Sequence, residues 1–244
     1  TLDNANSYWY EGDYKTAFDY AFKSLDSSRK LKNIELEYMT LNTIGLIYWT
    51  LNEYDKAIYY MDESLKLSLG LKKYNDASST YNNLGIVYRS LKKYAAALEY
   101  LNKAVEIDDR EKSKWALGYD YRNIGMTYLQ RGELNAAAEY LNKSYKFSVE
   151  INNIVNLVKC SLELGNLSYK LGNLKQAFEL YEKTYNSAVK YNIREVAWRG
   201  LFGMANAIYS TDKNRALGYL KDAVELVERM RAALRIEELK NGFI

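Results

Sequence analysis

Residues 78–105 read SSTYNNLGIVYRSLKKYAAALEYLNKAV. Tyr81, Leu84, Gly85 and Tyr88 stand at i, i+3, i+4 and i+7, which is one face of a helix. Leu91-Lys92-Lys93 breaks that spacing as a short turn. Ala97, Leu101 and Val105 then recur at four-residue steps and predict a second amphipathic helix. A turn this short forces the two helices antiparallel. Gly85 and Ala97 are small on the facing sides, so the two backbones can approach closely. Gly in a helix costs about 1 kcal/mol relative to Ala, so its use here implies a packing gain that offsets the cost.

The same reading repeats along the chain. Gly45, Gly85, Gly125 and Gly165 are 40 residues apart, and so are Ala17, Ala57, Ala97, Ala137 and Ala177. Tyr8, Tyr48, Tyr88 and Tyr128 keep the same step, as do Tyr14, Tyr54 and Tyr94, continued by Leu134 and Leu174. A fixed period without insertions is the signature of a solenoid. The turns fall at Tyr10-Glu11-Gly12-Asp13, Leu51-Asn52-Glu53, Gln130-Arg131-Gly132-Glu133 and Lys170-Leu171-Gly172-Asn173. The expected fold is all-α: a right-handed α-solenoid of six helix-turn-helix repeats, about twelve helices, with a long C-terminal capping helix and no sheet. The repeats span 1–33, 34–73, 74–113, 114–153, 154–193 and 194–230, and the helix ends over 231–244. Neighbouring repeats share their core, so 1–244 is read as one domain. Two places depart from the frame. Ser168 stands where Tyr is expected, and Ala216 follows Ala177 by 39 residues.

Composition narrows the function classes. The 244 residues include no Pro, which suits nearly uninterrupted helix. Basic and acidic residues number 34 and 31, a net charge of +3 that favours neither nucleic acid nor an anionic membrane. One Cys and no His exclude a disulfide framework and the common zinc sites, and no cofactor is expected. The single Cys160 and the lack of a signal peptide or a long apolar run fit a cytoplasmic protein. Thr1 in place of a start methionine reads as the mark of an excised or processed fragment.

Tyr81, Leu84, Gly85, Tyr88, Ala97 and Leu101, and again Tyr121, Ile124, Gly125, Tyr128, Ala137 and Leu141, resemble the tetratricopeptide repeat. The resemblance covers essentially the whole chain. It departs from the family's pattern in lacking the usual Pro after the second helix, and in a period of 40 against 34. That is similar to the long repeats of kinesin light chain and the LGN/Pins scaffolds. The resemblance implies a non-catalytic scaffold that holds a protein or peptide segment in a concave groove.

In a repeat solenoid the first helices line that groove. Residues about 100–180° from the Gly/Tyr face are expected to point into it. These are Met39, Asn42, Leu46 and Trp49; Ser79, Asn82, Ile86 and Arg89; Tyr119, Arg122, Met126 and Leu129; Lys159, Leu162, Asn166 and Tyr169; then Arg199, Phe202 and Tyr209, with Asn83 and Asn123 at the edge. An Asn amide can donate to and accept from a peptide backbone at once. The family resemblance gives that role to Asn83 and Asn123, while bonding to neighbouring helices or water is the competing reading for all these Asn. Arg89, Arg122, Lys159 and Arg199 could read an acidic group, or could form a solvated basic face. Glu163 stands where a chaperone-tail clamp would want a base, so no such clamp is expected.

Most of the 25 Tyr fall at repeat core positions, which leaves base-by-base RNA binding as a minor alternative. No catalytic constellation is visible. Acidic residues are expected on solvent faces, and Cys160 has no His partner, so it reads as a small packing residue. Residues 229–244, RMRAALRIEELKNGFI, resemble the junction of bacterial TPR arrays with a CHAT peptidase module through Arg235, Glu238, Leu239, Lys240 and Phe243. That implies an alternative function, the ligand-sensing part of a larger bacterial enzyme, with a linked catalytic or signalling domain beyond the C-terminus.

Overall fold

A computed structural model describes the backbone of residues 1–241 and the side chains of residues 1–232. Among the described residues there are twelve helices and no strand. They are α1 Leu2–Glu11, α2 Tyr14–Lys30, α3 Ile34–Thr50, α4 Tyr54–Gly70, α5 Tyr74–Ser90 and α6 Tyr94–Arg110, then α7 Lys114–Arg131, α8 Leu134–Glu150, α9 Ile154–Lys170, α10 Leu174–Lys190, α11 Arg194–Ile208 and α12 Lys213–Asn241. The chain forms two compact units, Thr1–Ala116 and Leu117–Ile244. Each is a stack of helix-turn-helix pairs. The junction residues Arg235, Glu238, Leu239, Lys240 and Phe243 have side chains outside the described residues.

The turns repeat twice as often as the sequence does. Left-handed residues occur at Gly12, Lys32, Asn52, Lys72, Lys92, Lys112, Gly132, Asn152, Gly172 and Asn192, one every 20 positions. The turn within a repeat and the turn between repeats are therefore the same device. At the end of α5, the Lys93 N–H reaches back to the Tyr88 carbonyl at 2.9 Å and the Lys92 N–H to the Arg89 carbonyl at 2.9 Å. Such bonds satisfy carbonyls orphaned at a helix end. They offset the roughly 1 kcal/mol that a left-handed Lys costs. Several following helices open on a side-chain cap: Asp13 Oδ1 accepts from Thr16 N, and Asn33 Oδ1 from Leu36 N.

Within a repeat the helices close onto glycine. A methyl on Gly85 would lie 2.5 Å from Leu101 Cγ and 3.2 Å from the Ala97 carbonyl oxygen. Gly45, Gly125 and Gly165 make the same approach to Met61, Leu141 and Tyr181. Around that contact the tyrosines pair. Tyr8 stacks on Tyr20, Tyr48 on Tyr60, Tyr88 on Tyr100 and Tyr128 on Tyr140, with ring centroids 5.1–5.6 Å apart. Burial and the neighbouring Tyr88 push the Tyr100 hydroxyl up to about 12. Buried serines complete the pairing: Ser64 Oγ donates to the Tyr38 carbonyl at 2.7 Å, and Ser144 Oγ to that of Gly118 at 2.6 Å.

The fifth repeat breaks this frame. Ser168 and Leu180 occupy the positions of the stacked tyrosine pair. Tyr181 stands where Met61, Leu101 and Leu141 stand in earlier repeats. The ring is accommodated by two glycines. A Cβ on Gly203 would lie 2.5 Å from Tyr181 Cδ1, and one on Gly165 2.8 Å from Cε1. Cys160 is buried as expected, donating to the Leu141 carbonyl at 3.0 Å. The acidic residues are not all on solvent faces, which corrects the sequence reading. Asp108, Asp120 and Glu163 are buried, since helical periodicity does not show what a neighbouring helix brings to a partly polar face.

Gly85→Val is expected to lower stability by about 1–3 kcal/mol, because Leu101 and the Ala97 carbonyl leave no room. Gly70→Ala meets nothing within 4 Å and should raise it by about 0.5–1 kcal/mol. Thermal denaturation followed by circular dichroism reads both signs.

Candidate functional site

In the first unit, the residues expected to line a groove tie successive first helices together. Asn83 Nδ2 donates to Asn42 Oδ1 at 3.1 Å. Trp49 Nε1 donates to Ser90 Oγ at 3.0 Å, and Trp9 Nε1 to Thr50 Oγ1 at 2.9 Å. Each bond spans 41 residues, one repeat plus one. The Asn42 and Asn83 amides thus spend one of their bonds on each other. Asn82 is half-buried and Arg89 is buried.

The second unit gathers more of the expected residues around one space. A cavity of about 420 Å³ is bounded by α7, α9 and α11, with Tyr181 of α10 at its wall. Met126, Asn166 and Arg199 line it, together with the apolar Leu129, Leu162 and Phe202. Glu163, only 5% exposed, lies at its centre of charge. Its Oε2 accepts from Asn166 Nδ2 at 2.8 Å, and its Oε1 from Arg199 at 3.3 Å. The Asn166 Oδ1 accepts in turn from the Tyr181 hydroxyl at 2.8 Å. Burial, then the charge of Glu163, holds that hydroxyl well above the usual phenol range. The Lys170 ammonium donates to the Leu129 carbonyl at 3.0 Å and pins α9 to α7.

Arg122 sits one turn before Met126 on α7. Its Nε and Nη1 are buried and make no hydrogen bond among the described residues. The guanidinium lies over the Tyr119 ring, 5.3 Å from its centroid. Burial lowers its pKa, and the Glu163 carboxylate is the largest influence opposing that shift. Lys159 is ion-paired with Glu195. Asn123 is buried beneath this surface, while Tyr119 is half-buried.

The cavity combines apolar walls with one buried carboxylate, the Arg199 guanidinium, the Lys170 ammonium, the amides of Gln130, Asn166 and Asn206 and the phenols of Tyr169 and Tyr181. Such a lining offers apolar contact together with hydrogen-bond donors and acceptors. Glu163, Tyr181, Trp198 and Asn206 line the cavity and are absent from the sequence-derived set. A signal for Tyr181 was present: it is bulky and aromatic at a position otherwise held by Ala21, Met61, Leu101 and Leu141. Among the described residues no cluster could hold a metal ion, and no helix is long and apolar enough to cross a membrane.

A sequence model of the tetratricopeptide repeat matches residues 36–110 and 76–148. The same helix pair continues on either side of that span, so the matched residues are tetratricopeptide repeats within a longer helical-repeat fold. No curated relative matches the sequence. Among solved structures, the apo form of RapI is similar, with a TM-score of 0.77 and 16% identity over 95% of this chain and 83% of that one. Aspartyl phosphate phosphatase F from Bacillus subtilis gives a TM-score of 0.75 at 16% identity over 92% of this chain. The Rap conjugation gene regulator of plasmid pLS20, solved with the Phr* peptide, gives 0.72 at 13% identity over 86% of this chain. The chain spans 58% of the phosphatase and 60% of the plasmid regulator. These likenesses establish the helical-repeat fold.

Glu163→Ala is expected to cost about 1–3 kcal/mol, because it leaves the Asn166 amide and the Arg199 guanidinium without their buried acceptor. An unchanged melting temperature would show that these two bonds add nothing to stability. Burial pushes the Cys160 thiol up to about 11. Native protein at pH 8 should therefore react with a disulfide reagent far more slowly than protein unfolded in guanidinium.

Proposed function

We propose that this protein is a non-catalytic interaction scaffold that binds a peptide or protein segment in the cavity around Tyr181, bounded by the first helices of its second unit. The observation that carries the reading is the hydrogen-bonded Glu163–Asn166–Tyr181 chain, its two ends buried, set among apolar walls where the repeat frame is broken. A cavity lined mainly by apolar groups with a few convergent polar ones is the usual form of a ligand site. The neighbouring Arg122 nitrogens supply donors that a ligand acceptor would satisfy. The plasmid regulator of similar fold is described in complex with a peptide, which supports the same ligand class here. In this reading Asn42 and Asn83 serve the frame. Met126, Asn166, Arg199 and Phe202 serve the ligand.

Selection of a random peptide library on the immobilised protein tests the proposal. The selected peptide should bind with an affinity that falls about tenfold or more in Asn166→Ala or Phe202→Ala. The same peptide should bind Asn82→Ala, outside the cavity, as well as it binds the parent protein. Selection that yields no consensus, or a peptide indifferent to both cavity substitutions, contradicts the assignment.

A further inference from the structure

Within a unit, a second helix carries a stripe that the next first helix covers. In α10 the stripe is Phe178, Tyr181, Tyr185 and Ala188, packed in one core with α11. Gly200 and Gly203 of α11 sit directly against Tyr185 and Tyr181. In α4 the stripe is Ile58, Met61, Leu65 and Ser68; its first three residues share a core with Leu84 and Val87 of α5. Advancing the α10 stripe by the 39-residue step from Ala177 to Ala216 gives Leu217, Leu220, Val224 and Val227 of α12. All four are aliphatic. Leu217 is 48% exposed and Val224 62%. The outer face of α12 thus displays the positions that receive a first helix.

Charge and register narrow the occupant. A second copy laid antiparallel along the stripe would pair Leu217 with Val227 and Leu220 with Val224. The same register brings Lys213 of each copy against Arg231 of the other, two like-charge pairs at the ends of the stripe. A parallel copy in register sets every charge against itself. Nor does α1 of a second copy fit. Its positions equivalent to Leu84 and Val87 of α5 are Asn4 and Ser7, both polar and exposed. What fits is a helix built like α5, which buries Ala77, Thr80, Leu84 and Val87 on the side facing an aliphatic second helix.

We propose that the Leu217–Leu220–Val224–Val227 face of α12 is a second interaction site. It takes an amphipathic helix from a partner protein, lying antiparallel to α12 with a small residue in its apolar stripe. The site is independent of the cavity around Tyr181 and continues the packing already made between α10 and α11.

A helix-stapled peptide carrying residues 74–90 is the probe, because that segment already packs on the aliphatic stripe of α4. Titration into the whole 244-residue chain should give saturable binding, with NMR shifts confined to 213–231. The double change Leu217→Asp, Val224→Asp should weaken it about tenfold or more without lowering the melting temperature, since both residues are exposed. Absence of saturable binding overturns the proposal, as does equal affinity for the double variant. A concentration-dependent dimer in sedimentation that the double variant abolishes also overturns it, because the occupant is then a second copy.

Discussion

The closest contact between paired helices is the one on which everything else depends. At Gly45, Gly85 and Gly125 the first helix lies so near the second that a single methyl would overlap a buried Met or Leu. The facing positions Ala57, Ala97 and Ala137 are fully buried. This approach sets the tyrosines at the distance where Tyr48 stacks on Tyr60 and Tyr88 on Tyr100. It also brings a serine hydroxyl within reach of a first-helix carbonyl. Backbone proximity, aromatic stacking and buried hydrogen bonding are thus three consequences of one small residue.

A frame so regular makes its own departures conspicuous. The fifth repeat exchanges the stacked tyrosine pair for Ser168 and Leu180 and shifts the aromatic bulk one position along, to Tyr181. The shift turns a phenol toward Asn166 and places a polar chain beside Leu162 and Phe202. Gly203 is a further small residue, absent from the frame, that makes room for the displaced ring. The C-terminal departure is of another kind. There the frame continues through Val227, yet Leu217 and Val224 remain exposed.

The helices, their pairing and the buried Gly and Ala positions were legible in the sequence, because a 40-residue recurrence reports packing directly. The left-handed turns within repeats were legible from Gly, from Asn or, at Leu91-Lys92-Lys93, from a break in spacing, while those between repeats were not. Lys32, Lys72, Lys92 and Lys112 adopt the same conformation with no compositional cue. The site was legible in part. Periodicity put Met126, Asn166 and Arg199 on the helix sides that line the cavity. It could not separate residues facing a ligand from residues facing the next helix, since both lie in the same angular range. Asn83 and Asn42 bond each other for that reason, and Arg89 and Asn123 are buried. Glu163 was noticed as an acid among expected bases, but its burial depends on what α11 and Asn166 bring to it.

The central claim is that the broken frame of the fifth repeat creates the ligand site. It is tested most directly by repairing the frame. A chain carrying Ser168→Tyr, Leu180→Tyr and Tyr181→Leu restores the pattern of the preceding repeats. Calorimetric titration of a selected peptide should show binding to the parent chain and none to the repaired one, while the repaired chain melts no earlier. Undiminished binding by a folded, repaired chain would contradict the account.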